Sequence, residues 1–116
     1  MTADLSPDVP QLPPQDGAEA VTAGALLLDV REPDEWAAGR APGATHIPLG
    51  QLPARLAEVP ADRPVVAICR AGGRSQQAAT FLRQNGVDAS NLSGGMQAWA
   101  AAGLEVVNDA GPGTVI

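Results

Sequence analysis

The sequence predicts an α/β fold built on a mainly parallel sheet, and three observations carry that expectation. Residues 25–30 and 65–68 are apolar runs, the first continuous as far as Asp29, which suits strands buried on both faces. Between the apolar runs lie stretches with helical spacing, clearest where Ala78, Ala79 and Leu82, with Phe81, form a stripe. Glycine and proline clusters then punctuate the chain at short intervals, so strands and helices alternate throughout. At 116 residues the chain is one domain with room for a real core, and no internal repeat is visible.

Residues 1–14 are acidic and proline-rich, poor material for a helix or a central strand. They are expected to be loose, apart from a short edge strand within 9–12. Asp16 has the form of an N-cap with Glu19 at the third helical position, so a brief helix should run to Ala23 and stop at Gly24. The strand over 25–30 follows. Pro33-Asp34-Glu35-Trp36 reads as a short helix with proline at its first position, and Trp36 as core. Residues 39–43 form a turn, 45–49 a short strand and 52–56 a short helix. Residues 60–64 turn the chain into the strand over 65–68. A helix is expected from Ser75 or Gln76 to Gln84, ended by Asn85-Gly86. Residues 87–92 hold the last parallel strand, and Ser93-Gly94-Gly95 opens a helix that Gly103 stops. The domain proper is taken as 15–107. The tail, 108–116, is flexible in composition, yet its Thr114-Val115-Ile116 end is apolar enough to dock on the body.

The stretch around which the chain is organised is Cys69-Arg70-Ala71-Gly72-Gly73-Arg74-Ser75. A buried strand that turns through glycines into a helix points loop N–H groups inward, at the positive end of the helix dipole. That cradle favours an anion, and the group at its mouth is the chain's single thiol. The thiolate is the reactive form of cysteine, and helix N-termini and nearby arginines stabilise it. A lone cysteine closing an apolar run is ordinarily a small buried hydrophobe. Arg70 and Arg74 have no use in a buried structural turn, however, and they favour the reactive reading. The Ser75 hydroxyl either adds a hydrogen bond there or caps the helix. Gly94-Gly95 is either a second anion cradle or a device for close packing against the loop. Asp29 lies at the carboxyl end of its strand, where open α/β sheets place ligands; the plainer role is a cap for the next turn. Arg31 and Glu32 fit a surface charge pair as well as a functional one. His46 is more simply a packed or surface residue than a general base.

The loop resembles the active-site loop of the rhodanese family, the thiosulfate sulfurtransferases. Two further stretches resemble the same family: Leu26-Leu27-Leu28-Asp29-Val30-Arg31-Glu32-Pro33-Asp34-Glu35-Trp36, and Asn91-Leu92-Ser93-Gly94-Gly95-Met96-Gln97-Ala98-Trp99. The likeness spans residues 9–107. One departure is Gly39-Arg40-Ala41-Pro42-Gly43-Ala44, where the family more often carries His-Ile before the Pro-Gly turn. The resemblance implies a three-layer sandwich with helices on both faces of the sheet, and an edge strand at its start. It implies Cys69 as the catalytic nucleophile and Arg70, Ala71, Gly72, Gly73, Arg74 and Ser75 as the anion-binding loop. Asp29 and Arg31 would support that loop, Asp29 by orienting it through Arg74. A tandem arrangement of an active and an inactive half is not expected at this length.

The implied reaction moves a sulfane sulfur from thiosulfate or a related persulfide donor, through a Cys69 persulfide, to cyanide in an assay or to a thiol in the cell. A persulfide carrier serving a partner protein is one alternative, and a partner-binding module another. A cysteine phosphatase or arsenate reductase is a further one, but such enzymes need Cys-x5-Arg to encircle a tetrahedral oxyanion, and the spacing here is Cys69-x4-Arg74. A net charge of −6, 3% aromatic residues and no lysine argue against nucleic acid. No apolar run approaches a membrane span and no leader is visible, so a cytoplasmic protein is expected. One cysteine allows no internal disulfide and suits a reducing compartment. With His46 the only histidine, no metal site is expected, and no cofactor.

Overall fold

The structure, a computed structural model, describes residues 8–116, so of the segment expected to be loose over 1–14, residues 1–7 lie outside the described residues. Five strands, β1 (Gln11–Leu12), β2 (Leu26–Asp29), β3 (Thr45–His46), β4 (Val65–Ile68) and β5 (Ala89–Leu92), form one sheet in the order β1-β5-β4-β2-β3. Every pairing is parallel. Four helices connect or follow them: α1 (Pro14–Thr22), α2 (Pro33–Ala38), α3 (Gly73–Gln84) and α4 (Gly95–Ala101). This is the α/β fold with a parallel sheet that the alternating pattern calls for, and the sandwich that the resemblance implies.

Strand alternation divides the core into two layers. Val65 and Ala67 of β4, followed by Cys69, pack with Ala78, Ala79 and Leu82 of α3. Val66 and Ile68 face the opposite side, where Leu92, Met96 and Trp99 meet residues of α1. The central position of β4, buried along its whole length, explains its unbroken apolar sequence. It also places residue 69 at the carboxyl edge of the middle of the sheet.

Several boundaries differ from expectation, each for a local reason. Helix α1 starts at Pro14, not at an Asp16 cap; Pro14 brings its φ already set for a first helical position, and Asp16 sits in the first turn without capping it. Residues 52–56 do not form an α-helix. The stretch makes two single 3-10 turns, Leu49–Gln51 and Leu56–Glu58, because Pro53 removes an amide from the middle. Pro48 likewise limits the expected strand over 45–49 to its β3 core, although Ile47 and Leu49 still donate to the carbonyls of Asp29 and Val30 at 3.0 Å.

The tail is ordered against the body. Strands β6 (Val107–Asn108) and β7 (Gly111–Pro112) make a small antiparallel hairpin, Val107 bridges Arg40, and Val115 packs on the α1/α4 layer. Gly39 and Gly113 pass so close that a Cβ on Gly39 would lie 2.3 Å from the carbonyl oxygen of Thr114. Asp109 pairs with Arg40, which also lies over the Trp36 ring. Among the described residues, no helix is long and apolar enough to cross a membrane.

Candidate functional site

Cys69 follows directly on β4 and is only 1% exposed. The helix after it begins at Gly73, two residues earlier than the sequence suggests, because Gly72 takes a positive φ of 110° and turns the chain at once into α3. The loop proper is thus Arg70, Ala71 and Gly72, and the first turn of α3 forms the rest of the cradle. The Gly72 N–H donates to Sγ at 3.1 Å, and the Ser75 Oγ lies 3.2 Å from it. Burial pushes the Cys69 thiol up, but hydrogen bonds from the Ser75 hydroxyl and the N–H groups of Ser75, Gly72 and Ala71 prevail. They hold it below the ordinary thiol range.

The glycine pair at residues 94 and 95 serves close packing. Met96 N–H donates to the Cys69 carbonyl at 2.7 Å and Gln97 N–H to the Arg70 carbonyl at 3.0 Å, so the start of α4 holds the loop's carbonyls outward. That contact requires a bare Cα. A Cβ on Gly95, whose φ is +59°, would lie 2.5 Å from the Cys69 oxygen and 2.6 Å from the Arg70 carbonyl carbon. Gly95→Ala is expected to cost about 2–4 kcal/mol from left-handed strain and overpacking together. Urea unfolding measures that loss, and a slower pH-matched alkylation of Cys69 would report the displaced loop.

Asp29 and Arg74 do not meet as expected. Arg74 forms a two-pronged pair with Glu35 of α2, at 2.7 and 2.9 Å. Asp29 instead binds Arg31: Nε and Nη2 of the guanidinium reach its two oxygens at 2.9 and 2.7 Å, with both side chains fully buried. Arg31 is therefore no surface residue. Its Nη1 and Nη2 also donate to the carbonyls of Glu35 and Gly39, tying the end of β2 to the body of α2 and to the residue that ends it. His46 stacks on Trp36 at 4.7 Å, and its Nε2 donates to the Arg31 carbonyl. It is a packed residue. Arg70 is exposed, with Nε donating to the Ile116 carbonyl at 2.8 Å.

Two residues at the site carry no obvious signal in the sequence. Glu35 is legible only as the third helical position of α2, where it accepts from the Glu32 N–H in a capping box while also holding Arg74. The Arg74 guanidinium beside it lowers its carboxyl from 4.5 to about 2. A depressed folded value means that the stabilisation is complete above about pH 4.5 and is lost as pH falls through about 2. With Arg74 partly exposed, Glu35→Gln is expected to cost about 1–2 kcal/mol at neutral pH. The gap from the parent should close in acid unfolding scans. The second residue is Asn91 of β5, buried beside Ser75, whose Oγ lies 2.6 Å from Asn91 Oδ1. It reads in the sequence as one polar residue in a strand, and only the pairing of β5 with β4 brings it to the thiol.

A parallel α/β sheet that delivers one buried thiol to a helix N-terminus, under a ring of backbone amides, defines a cysteine-loop α/β protein. Residues 14–102 match the family model for the rhodanese-like domain, and the chain belongs to that family. A sulfurtransferase of Allochromatium vinosum is 46% identical over 89 residues, covering 76% of this chain and 83% of the relative. The crystal structure of a rhodanese-related protein from Thermoplasma volcanium has a TM-score of 0.80 at 33% identity, covering 84% of this chain and 97% of that one. Reduced Bacillus anthracis CoADR-RHD has a TM-score of 0.76 at 35% identity over 79% of this chain, which spans 16% of that much longer protein.

Proposed function

We propose that the chain is a sulfurtransferase that carries sulfur on Cys69. The observation that carries this reading is the position of Sγ, at the carboxyl end of the central strand and at the N-terminus of α3, with the Gly72 amide 3.1 Å away. The cradle favours a sulfur anion, and the family and its sulfurtransferase relative supply the class of reaction. With thiosulfate as donor, the Cys69 thiolate attacks the outer sulfane sulfur. A new S–S bond forms, the old one breaks, and its electron pair leaves with sulfite. An acceptor thiolate or cyanide then attacks the outer sulfur of the persulfide, and Cys69 departs as the thiolate. The amides of Ala71, Gly72 and Ser75 stabilise that charge, and Arg70, exposed at the mouth, draws in the anionic donor. A reducing compartment such as the cytoplasm suits a single free thiol.

The phosphatase alternative loses its gripping residue. Both prongs of Arg74 are taken by Glu35, so its guanidinium is not free to hold a phosphate bidentately. Intact-protein mass after incubation with thiosulfate tests the proposal directly. A gain of one sulfur, reversed by cyanide, is expected; an unchanged mass together with hydrolysis of an aryl phosphate would overturn it.

A further inference from the structure

Ser75 has one hydroxyl hydrogen and two acceptors for it. Its Oγ lies 3.2 Å from Cys69 Sγ and 2.6 Å from Asn91 Oδ1, with Ser75 fully buried and Asn91 nearly so. The orientation of the Asn91 amide is fixed, because Nδ2 donates to the Gly72 carbonyl at 3.2 Å and to Gln11 Oε1 at 2.9 Å. A backbone carbonyl only accepts, so the oxygen end of Asn91 must face Ser75. The register puts Gln11 of β1 directly beside Asn91, and its own Nε2 donates onward to Gln76 Oε1 of α3. The acceptor is thereby braced by two partners, one of them itself held by α3.

We propose that Asn91 is a positioning residue that competes with the Cys69 sulfur for the Ser75 proton. When Cys69 is a thiol, S–H donates to Ser75 Oγ and Ser75 donates to Asn91. When it is a thiolate, the Ser75 hydroxyl turns to the sulfur and leaves Asn91 Oδ1 without that donor. On the reading of Cys69 as the sulfur carrier, a persulfide moves the charge to the outer sulfur, and the hydroxyl turns back to Asn91. Asn91 thus favours the loaded and neutral states over the free thiolate, opposing the loop amides by a set amount.

The charged groups around Cys69 come from several elements. Arg74 of α3 faces it with its charge offset by Glu35 of α2, Arg70 lies in the loop, and the Asp29–Arg31 pair closes the neighbouring β2. From β5 comes the neutral Asn91. Among the described residues, the hydrogen bonds of Ser75 Oγ are those to Sγ and Oδ1.

The test is a double-mutant cycle on the Cys69 titration, read as iodoacetamide alkylation rate against pH in the parent, Asn91→Leu, Ser75→Ala and the double variant. With Ser75 present, Asn91→Leu removes the competitor and should make Cys69 more acidic. The acidity should rise roughly three- to tenfold beyond whatever the same change does in the Ser75→Ala background, the weight of one net hydrogen bond. Loosening of Gly72 is common to both backgrounds and cancels, and that carbonyl still accepts from Gln76 N–H. A difference below about threefold, or of opposite sign, overturns the proposal. Asn91→Ala provides the same comparison if the leucine variant does not fold. Alkylation requires no sulfur donor, so a protein that took no sulfur from thiosulfate would still answer for Asn91.

Discussion

Replacement of Cys69 by alanine is expected to abolish sulfur transfer while leaving the fold in place. Sγ is the only thiol in the chain and the atom toward which the loop amides and the Ser75 hydroxyl converge. Without it no persulfide can form, and thiocyanate production from thiosulfate and cyanide should fall to the uncatalysed background. The structural cost is small, because a buried side chain among Ala67, Ala78 and Ala79 is replaced by one a single atom shorter. A loss of about 1 kcal/mol is expected by urea unfolding. Thiosulfate-dependent activity surviving in a folded Cys69→Ala protein would sink the mechanism. The parent's activity should also rise with pH through a midpoint below that of an ordinary thiol, then level off, because only the thiolate attacks.

The largest loss of stability is expected from Asp29→Asn. Asp29 and Arg31 are both fully buried, and the carboxylate takes the Arg31 Nε, Nη2 and backbone N–H groups. Neutralising it leaves a guanidinium charge in the interior with no counter-charge, facing one neutral amide oxygen and the carbonyls of Glu35 and Gly39. Removing one partner of a buried pair costs about 3–5 kcal/mol. The double change Asp29→Leu with Arg31→Met removes both charges and should recover much of that loss. Equal destabilisation by the single and double variants in urea titrations would show that packing, not the unpaired charge, dominates. Because Asp29 does not touch Arg74, Asp29→Asn should act on activity through unfolding, and the fraction that remains folded should still form the persulfide.

The α/β architecture and the place of the thiol were both legible in the chain, and for the same reason. A strand buried on both faces cannot alternate polar and apolar residues, so Val65 to Ile68 announces itself as central. A glycine-rich turn followed by a helical stripe must then put amides at its end. The place of Pro33 at the first helical position of α2, and the close approach that Gly95 permits, likewise follow from local stereochemistry. Where sequence reading misplaced a boundary, proline or glycine decided locally: Pro14 started α1 early, Pro53 broke a helix into 3-10 turns, and Gly72 started α3 inside the loop.

Partners among the charged and polar side chains were a different matter. Asp29, Glu35, Arg31 and Arg74 can be paired in more than one way on paper, and the sequence carries no distance between them. Burial chose: the end of β2 brings Arg31 back on Asp29 two residues away, while α2 carries Glu35 across to Arg74, thirty-nine residues distant. Asn91 is the clearest case. Its side chain meets Ser75 only because β5 lies beside β4 in parallel register and β1 sets Gln11 against it. By itself the sequence determined the layers, the strand-to-helix turn and the thiol at its mouth, since these depend on side-chain burial and backbone freedom within short stretches. Only the tertiary structure decided which ion pairs and hydrogen bonds surround that thiol, because those partners are assigned by the packing of elements far apart in the chain.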